Sequence, residues 1–343
     1  MICFGWAGFP QYGARCVRAF VKSTDEEVVV VATPPRVPIA GMDEICGCRV
    51  VWVPENDPRK LGELLGGRLP RVLTVPGWML GNYNRYADEV RAHGGRVIAG
   101  VDNNFAGFGP KQLLKALRFR LFLRRRFDGF WVPGRSGVRL LRFYGVPEAK
   151  IFTNLYAADG ALFFDGAPLE KRAKRIVYVG QFVARKNVLR MCRAFARANP
   201  GDWTLALYGS GELKGRLAAF AAEQDGRVEV HDFVQPEALA AVYRSARFFC
   251  LPSVEEHWGL VVHEAALSGC GLLLSKAVGA AEDMLDGNGR SFDPRNEAEM
   301  AACFRAMMRL GDAELRTLQT RSVEMAKNNS TELFAESVRR FAK

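Results

Sequence analysis

Two glutamates around the start of one predicted helix form the clearest chemical pattern in the sequence. Glu256 and Glu264 lie in the segment Pro252–Gly269, where a predicted strand ends and a helix begins near Gly259. Backbone N–H groups at a helix start, here those near Gly259 and Leu260, lack partners within the helix and suit a phosphate group. Gly259 would also let a phosphate approach the backbone closely. An ordinary capped helix with solvated acids explains the segment equally well when it is taken alone.

Two further strand-to-helix turns could contact a phosphate. Arg185 and Lys186 follow Gly180 and the predicted strand Arg175–Val179, and loops at the C-terminal ends of parallel strands face the ligand crevice. Two cations there could hold a diphosphate and neutralise its charge as it departs, although a solvated basic pair is the simpler interpretation of these residues alone. A third turn begins at Gly209 and is a weak phosphate pattern by itself. The occurrence of all three turns in one half of the chain favours a phosphate or sugar ligand.

Short β-rich segments alternate with helical patterns along the chain, and these elements must position the turns. Several segments are continuous apolar runs, as expected of parallel strands covered on both faces. The alternation predicts an α/β fold of doubly wound layers with right-handed crossovers. The predicted strands are Glu27–Ala32, Arg49–Val53, Arg71–Val75, Arg96–Val101, Gly129–Val132 and Ile151–Leu155 in the first half, and Arg175–Val179, Trp203–Tyr208, Arg227–Asp232, Arg247–Leu251 and Gly271–Ser275 in the second.

Two α/β domains explain the pattern better than one continuous sheet. The stretch Ala157–Lys174 has little periodicity, contains glycine and proline, and is predicted to be the domain linker. We therefore expect an N-terminal domain of residues 1–165 and a C-terminal domain of residues 166–325. After Pro294 only helical patterns follow, and the last covers Thr331–Ala342.

Composition argues against several classes of protein. No apolar stretch approaches the roughly 18 residues of a membrane-spanning helix, and the first residues lack the pattern of a secretory signal. Eight cysteines in 343 residues do not make a disulfide scaffold, and Cys46 and Cys48 are one residue too close for a C-x-x-C zinc site. These observations predict a protein of the reducing cytoplasm.

Basic residues are concentrated in the first half of a chain whose formal net charge is +11. Such a field points to nucleic acid, a membrane face or a phosphorylated substrate, and nucleic acid is not expected because no aromatic-basic recognition motif is present. The segment Lys111–Phe127 could lie on an anionic membrane through Lys111–Arg126, or could be a core-packed helix with a solvated basic face. Its apolar helical face comprises Leu113, Leu114, Leu117 and Leu121.

Residues 175–295 resemble the donor-binding domain of the family 4 retaining glycosyltransferases, which have the GT-B fold. The resemblance implies two Rossmann-like domains facing a central cleft, a nucleotide-diphosphate sugar donor, no metal or other cofactor, and retention of anomeric configuration. It also implies that a C-terminal helix, residues 326–343, returns to the first domain. The matching residues are Gly180 with Arg185-Lys186, Gly209-Ser210-Gly211, Glu256 and Glu264 after Pro252-Ser253, Gly279-Ala280-Ala281-Glu282, and Gly287-Asn288-Gly289.

The resemblance also implies roles for single residues. Glu264 would hold the ribose hydroxyls, Glu256 the donor sugar and Lys186 the diphosphate. Phe233 and Val234 would face the nucleobase. The other donor-binding candidates in this half are Gly180, Gly209, Trp258, Gly259 and Leu260.

Gln181 departs from the family pattern, which usually has Arg directly after the first glycine of the phosphate turn. A neutral amide cannot offset a phosphate charge, so we expect Arg185 to reach back and act with Lys186 in catalysis. The alternatives are a less well stabilised leaving group, or a chain that binds the donor without transferring its sugar.

The first half resembles the family more weakly. The segment Gly8–Gly13 takes the place of the family's glycine-rich loop, and Gly8 and Gly13 are therefore donor-binding candidates. It is not a G-x-G-x-x-G fingerprint, which argues against a nicotinamide-dependent oxidoreductase. Asp102 follows a predicted strand at about the place where many members have histidine. It could accept a proton from the acceptor hydroxyl or hold the donor sugar, or it could simply cap the loop.

We therefore predict a retaining, metal-independent glycosyltransferase with Asp102, Arg185, Lys186 and Glu256 in catalytic roles. Its acceptor would be a hydroxyl of a glycan or lipid-linked molecule in the synthesis of cell-envelope polysaccharide or lipopolysaccharide. The protein would lie in the cytoplasm or at the inner face of the membrane. The alternative function is a non-catalytic α/β protein that binds nucleotide-sugar or nucleic acid.

Overall fold

Parallel strands build both sheets of the computed structural model, which describes residues 1–35, 41–54, 61–105 and 107–343. The chain divides into two units by its internal contacts, residues 1–159 with 329–343, and residues 160–328. Both units have helices between successive parallel strands, so the predicted α/β architecture of two doubly wound sheets is confirmed. No helix in these described ranges has both the length and the apolar composition needed to cross a membrane.

The first unit holds a seven-stranded sheet. Its second strand is buried at every position because helices cover both faces of the sheet. The strands are β1 (Ile2–Trp6), β2 (Val28–Ala32), β3 (Arg49–Trp52), β4 (Val72–Val75), β5 (Arg96–Gly100), β6 (Gly129–Trp131) and β7 (Ile151–Phe152), and their order is β3-β2-β1-β4-β5-β6-β7. The helices are α1 (Gln11–Val21), α2 (Met42–Cys46), α3 (Leu61–Leu64), α4 (Gly81–Ala92), α5 (Pro110–Arg118) and α6 (Arg135–Phe143).

The second unit holds a six-stranded sheet. Its strands are β8 (Ala173–Val179), β9 (Thr204–Tyr208), β10 (Val228–His231), β11 (Ala246–Leu251), β12 (Gly271–Ser275) and β13 (Gly289–Phe292), in the order β10-β9-β8-β11-β12-β13. Its helices are α7 (Val188–Arg197), α8 (Lys214–Ala222), α9 (Pro236–Ser245), α10 (Leu260–Leu267), α11 (Ala281–Met284), α12 (Glu297–Met308) and α13 (Asp312–Ala326).

The last helix, α14 (Thr331–Ala342), packs in the core of the first unit. The ring of Phe334 lies 4.6 Å from that of Trp131 and 6.0 Å from that of Phe4, measured between centroids. Phe341 contacts Trp131 from the next turns of the helix. All four rings are buried, so removal of one of them should cost about 3–5 kcal/mol of stability.

Three local expectations differ from the structure. The strands β1 and β13 were not among the predicted ones, because both are short and include glycine beside polar or aromatic residues. The strand predicted at Ile151–Leu155 ends at Phe152, and Asn154 has a left-handed backbone conformation. Residues 160–172 of the expected linker pack on the second unit, where the fully buried Leu169 donates its N–H to Oε1 of Gln319.

Candidate functional site

The strand order of the second sheet reverses between β8 and β11, and the candidate donor site lies there. Loops that follow strands on either side of such a reversal diverge and leave a crevice at the C-terminal edge of the sheet. The loop after β8 carries Gly180, Arg185 and Lys186, and the loop after β11 carries Glu256 and Trp258. Sheet order therefore brings together two loops that are far apart in sequence.

Lys186 and Glu256 form a buried ion pair across this reversal. The Lys186 ammonium donates to Oε2 of Glu256, and the Ser253 hydroxyl donates to the same oxygen at 3.1 Å. Lys186 is 8% exposed, so its buried charge depends on Glu256 for compensation. The two residues expected to hold the diphosphate and the sugar therefore form one unit. Arg185 precedes Lys186 on the 3-10 turn Ala184–Lys186 and is exposed to solvent.

A second loop supports the Glu256 backbone. Gly279 donates its N–H to the carbonyl of Glu256 at 3.0 Å, and Ala280 donates to that of Trp258 at 2.9 Å. A Cβ added at Gly279 would collide with the carbonyl oxygen of His257. The Gly279-Ala280 part of the sequence pattern thus has a structural explanation, since it holds the Glu256 loop in place.

The glycine turn that follows β9 packs against the turn that follows β8. Gly209 has a φ of +155°, and a Cβ there would collide with the carbonyl oxygen of Gly180. Phe182 donates its N–H to the carbonyl of Ser210 at 2.7 Å. Gly209 is therefore required for backbone packing beside the site, whatever its role toward a phosphate. Gln181 is exposed, and its carbonyl accepts a hydrogen bond from the Tyr178 hydroxyl.

Glu264 lies inside α10, which begins at Leu260 after Gly259 in a left-handed conformation with φ +90°. The hydroxyl of the fully buried Tyr243 donates to Oε2 of Glu264 at 3.0 Å. Desolvation raises the pKa of Glu264 to about 7, although the Tyr243 hydrogen bond acts in the opposite direction. Such a carboxyl changes charge near neutral pH. Recognition of ribose requires a group that accepts hydrogen bonds from its hydroxyls, and a carboxylate is such a group.

The nucleobase candidates lie after the edge strand β10. Phe233 is 49% exposed, so its ring face is available for stacking, and Val234 is half-buried beside it. His263, in contrast, is fully buried with Nε2 3.0 Å from the carbonyl oxygen of Ala326. That histidine is a packing residue of the core.

A cavity of about 390 Å³ opens at the corresponding position of the first sheet, where the strand order reverses between β1 and β4. Asp102 and Asn103 line it from the end of β5, and Gly8 lines it from the loop after β1. Gly8 has a φ of +62° and donates its N–H to Oγ1 of Thr33 at 2.6 Å. Gly13 lies instead in α1 and packs against the ring of Phe9, and it is not among the residues that line the cavity.

Five aromatic side chains line the same cavity and were not among the predicted site residues. Aromatic faces and hydroxyl-binding groups together suit a sugar ring. The five side chains come from several elements of the unit, so their convergence depends on the order of the strands, and Trp6 ends β1, a strand that was not predicted. The aromatic residues are Trp6, Tyr12, Trp78, Trp131 and Tyr156.

Sequence comparison gives matches to glycosyltransferases over part of the chain. Residues 173–309 match the family model described as glycosyl transferases group 1. An uncharacterized glycosyltransferase of Haemophilus influenzae is 32% identical over 99 residues, 28% of each chain. One of Methanocaldococcus jannaschii is 28% identical over 143 residues, 41% of this chain and 37% of the relative. The matches therefore cover well under half of these curated relatives.

Structural comparison covers both units. A glycosyltransferase of Rickettsia africae superposes with a TM-score of 0.77 at 12% identity, over 100% of this chain and 98% of that one. Anabaena HepE in complex with UDP gives 0.75 at 13% identity, over 99% and 98% of the two chains. Sucrose-phosphate synthase of Thermosynechococcus elongatus gives 0.70 at 16%, over 98% and 97%. The chain therefore has the GT-B fold, and the similarity of residues 173–309 to group 1 glycosyltransferases supports a glycosyltransferase.

Proposed function

We propose that the protein is a retaining glycosyltransferase of the family 4 type that uses a nucleotide-diphosphate sugar. The observation that carries the proposal is the buried Lys186–Glu256 pair at the strand-order reversal of the unit that matches group 1 glycosyltransferases. Anabaena HepE has been crystallised with UDP and with UDP-glucose, which makes UDP-sugars the first donors to test.

The donor would bind along the loops after β8 and β11. Arg185, Lys186 and the N–H groups at the start of α10 would contact the diphosphate, and Glu264 would accept from the ribose hydroxyls. The bond between the anomeric carbon and the phosphate oxygen breaks as a bond to the acceptor oxygen forms on the same face. The acceptor proton passes to the departing phosphate oxygen. Fixed cations would stabilise the charge that grows on the leaving nucleotide.

The acceptor would bind in the aromatic cavity of the first unit, with Asp102 beside its reacting hydroxyl. A glycan or a lipid-linked sugar as acceptor, a role in envelope polysaccharide or lipopolysaccharide synthesis, and a cytoplasmic position at the inner membrane face stay predictions. Independence of metal ions is likewise a prediction. Dialysis against EDTA should leave the transfer rate unchanged if it is correct.

Nucleotide-sugar binding tests the proposal directly. In a thermal-unfolding panel, the true donor at a hundred times its dissociation constant should add about 2.7 kcal/mol of stability. Transfer to an acceptor followed by NMR should then give a product with the anomeric configuration of the donor. A product of inverted configuration would remove the retaining mechanism, and a panel without any stabilising nucleotide-sugar would remove the whole proposal.

A donor-binding protein without transferase activity is the second candidate, and the neutral, exposed Gln181 favours it. Stabilisation by a nucleotide-sugar without any hydrolysis or transfer would indicate this function. Gln181→Arg then becomes the informative variant, since a restored cation would accelerate departure of the nucleotide in a weakly active enzyme and would do nothing in a binding protein.

A further inference from the structure

The surface formed by α5 and the turns after it differs from the rest of the first unit. Helix α5 ends at Arg118 and continues as a π-helical turn, Phe119–Leu123. Only Ala116 and Phe119 of these two segments are buried. Five large apolar side chains are between 55% and 72% exposed, so the core-packed alternative for this segment is wrong. They are Leu113, Leu114, Leu117, Leu121 and Phe122.

Exposed cations alternate with these apolar side chains along the segment. Lys111, Lys115, Arg118 and Arg125 are exposed and form no ion pair with any residue that the structure describes. Arg120 is held at the edge of the surface because its guanidinium donates to the carbonyl of Phe143 at 2.9 Å. A helix with exposed leucines and interspersed lysine and arginine has the composition of segments that lie in the headgroup region of a membrane.

A shallow apolar groove of about 460 Å³ runs along this surface. Arg120 is the charged residue among those that line it, and the others are Leu113, Leu114, Ala116, Leu117 and Phe143. The buried side of the segment, opposite the exposed surface, contacts a wall of the aromatic cavity, because the Trp78 ring that lines the cavity lies 5.1 Å from the ring of the buried Phe119.

We propose that this α5 surface, residues 111–125, docks the protein onto a leaflet rich in anionic phospholipid. The apolar side chains enter the acyl-chain boundary, and the cations contact lipid phosphates. The aromatic cavity lies in the same unit as this surface. Insofar as it concerns the acceptor, this inference rests on the proposed function: the acceptor would then be a lipid-linked sugar.

Vesicle flotation with the full-length protein tests the docking. Wild-type protein should float with vesicles of phosphatidylcholine and phosphatidylglycerol at low salt and should not float with pure phosphatidylcholine. Arg118→Gln with Arg125→Gln should weaken binding about twenty-five-fold, since each basic side chain near an anionic surface contributes a factor of about five. The matched control is Arg216→Gln with Arg309→Gln, exposed cations of the second unit that should have no effect.

A variant that lacks two of the apolar side chains distinguishes membrane insertion from simple charge attraction. Leu121→Ser with Phe122→Ser should weaken vesicle binding at least about tenfold, whereas Phe164→Ser, which changes an exposed phenylalanine of the second unit, should not. Transfer to a soluble acceptor should stay at the wild-type rate in all these variants, which separates failure of docking from failure of the proposed activity. Absence of flotation by wild-type protein, equal binding by the Leu121/Phe122 variant, or binding to random DNA in place of vesicles would overturn the docking.

Discussion

The two sheets of this protein each reverse their strand order once, and the chemistry at the two reversals is different. In the second unit the loops carry Lys186, Arg185 and Glu256, with one buried ion pair at the centre. In the first unit the cavity is lined by aromatic and small polar residues, and Asp102 is the acidic side chain among them. The same topology therefore supports a site for an anion in one unit and a site for a neutral ring in the other.

The difference indicates which substrate each unit would bind. A diphosphate is bound by fixed positive charge and by backbone N–H groups at a helix start, and the loops after β8 and β11 carry Arg185 and Lys186 and lead into α10. Among the residues that the structure describes, those that line the cavity of the first unit include no lysine, arginine or histidine, so none of them offers a cation to a phosphorylated acceptor. We expect an acceptor whose reacting sugar carries hydroxyl groups and no phosphate within the cavity.

Among the predicted variants, replacement of Lys186 should have the largest effect on stability and activity. Lys186→Met leaves Glu256 charged and buried, so it should cost about 3–5 kcal/mol of stability, measured by urea unfolding. It should also lower kcat/KM about a thousandfold, because the leaving diphosphate loses a fixed cation.

The double variant Lys186→Met with Glu256→Gln separates the two effects of losing Lys186. It should recover most of the lost stability, because no unpaired charge is left, and should stay inactive. Transfer by Lys186→Met at a rate within twofold of the wild type would mean that the pair is structural and that the donor binds elsewhere.

In the first unit, replacement of Asp102 should lower the rate of transfer without weakening donor binding. Asp102→Asn keeps the shape of the cavity and removes the carboxylate that would polarise the acceptor hydroxyl, so kcat should fall about a hundredfold while the affinity for the donor stays unchanged. Donor affinity is measured by thermal shift and kcat with saturating acceptor. Asn103→Ala, at the neighbouring lining position, is the control and should alter KM for the acceptor more than kcat. A loss of donor affinity in Asp102→Asn would assign Asp102 to the donor sugar.

Donor affinity should depend on pH through Glu264. The pKa of this carboxyl is raised to about 7, so it gains its charge only as the pH rises through that value, and the charged form accepts better from ribose hydroxyls. UDP should therefore bind several-fold more tightly at pH 8 than at pH 6.

The same carboxyl should also affect stability. Because the folded protein holds this proton more tightly than the unfolded chain, Glu264 lowers the free energy of unfolding as the pH rises from about 4.5 to 7. Both trends should vanish in Glu264→Gln, measured by UDP titration and urea unfolding across the pH range, and a persisting pH dependence would assign it to another group.

The sequence predicts the layers of this fold well and its long-range pairs poorly. Continuous apolar segments rich in β-branched residues, such as Val28–Ala32, are typical of buried parallel strands, and most of the predicted strands agree with the structure to within a residue or two. The pairing of Lys186 with Glu256, 70 positions away, depends on β8 lying beside β11. Local periodicity does not specify strand order. The two residues could therefore be assigned to phosphate and sugar, but their ion pair could not be predicted.

The α5 surface shows a second limit. A helical spacing of Leu113, Leu117 and Leu121 predicts a common face, and it does so whether that face is covered by protein or left open. Only the position of α5 in the first unit decides between the two alternatives, because the buried side of the segment is formed by Ala116 and Phe119.

The smallest predicted effect concerns Tyr243, which acts on the donor only through Glu264. Tyr243→Phe removes one hydrogen bond to the carboxylate, which should raise KM for the donor about three- to tenfold and move the midpoint of its pH dependence upward. Tyr86→Phe is the matched control, since it also removes the hydrogen bond of a buried tyrosine, here to the carbonyl of Arg68 in the first unit. Both variants should lose similar stability, but only Tyr243→Phe should move the pH midpoint. An unchanged midpoint would show that Tyr243 does no more than fill the core, and Glu264 would then have to be oriented by the ligand itself.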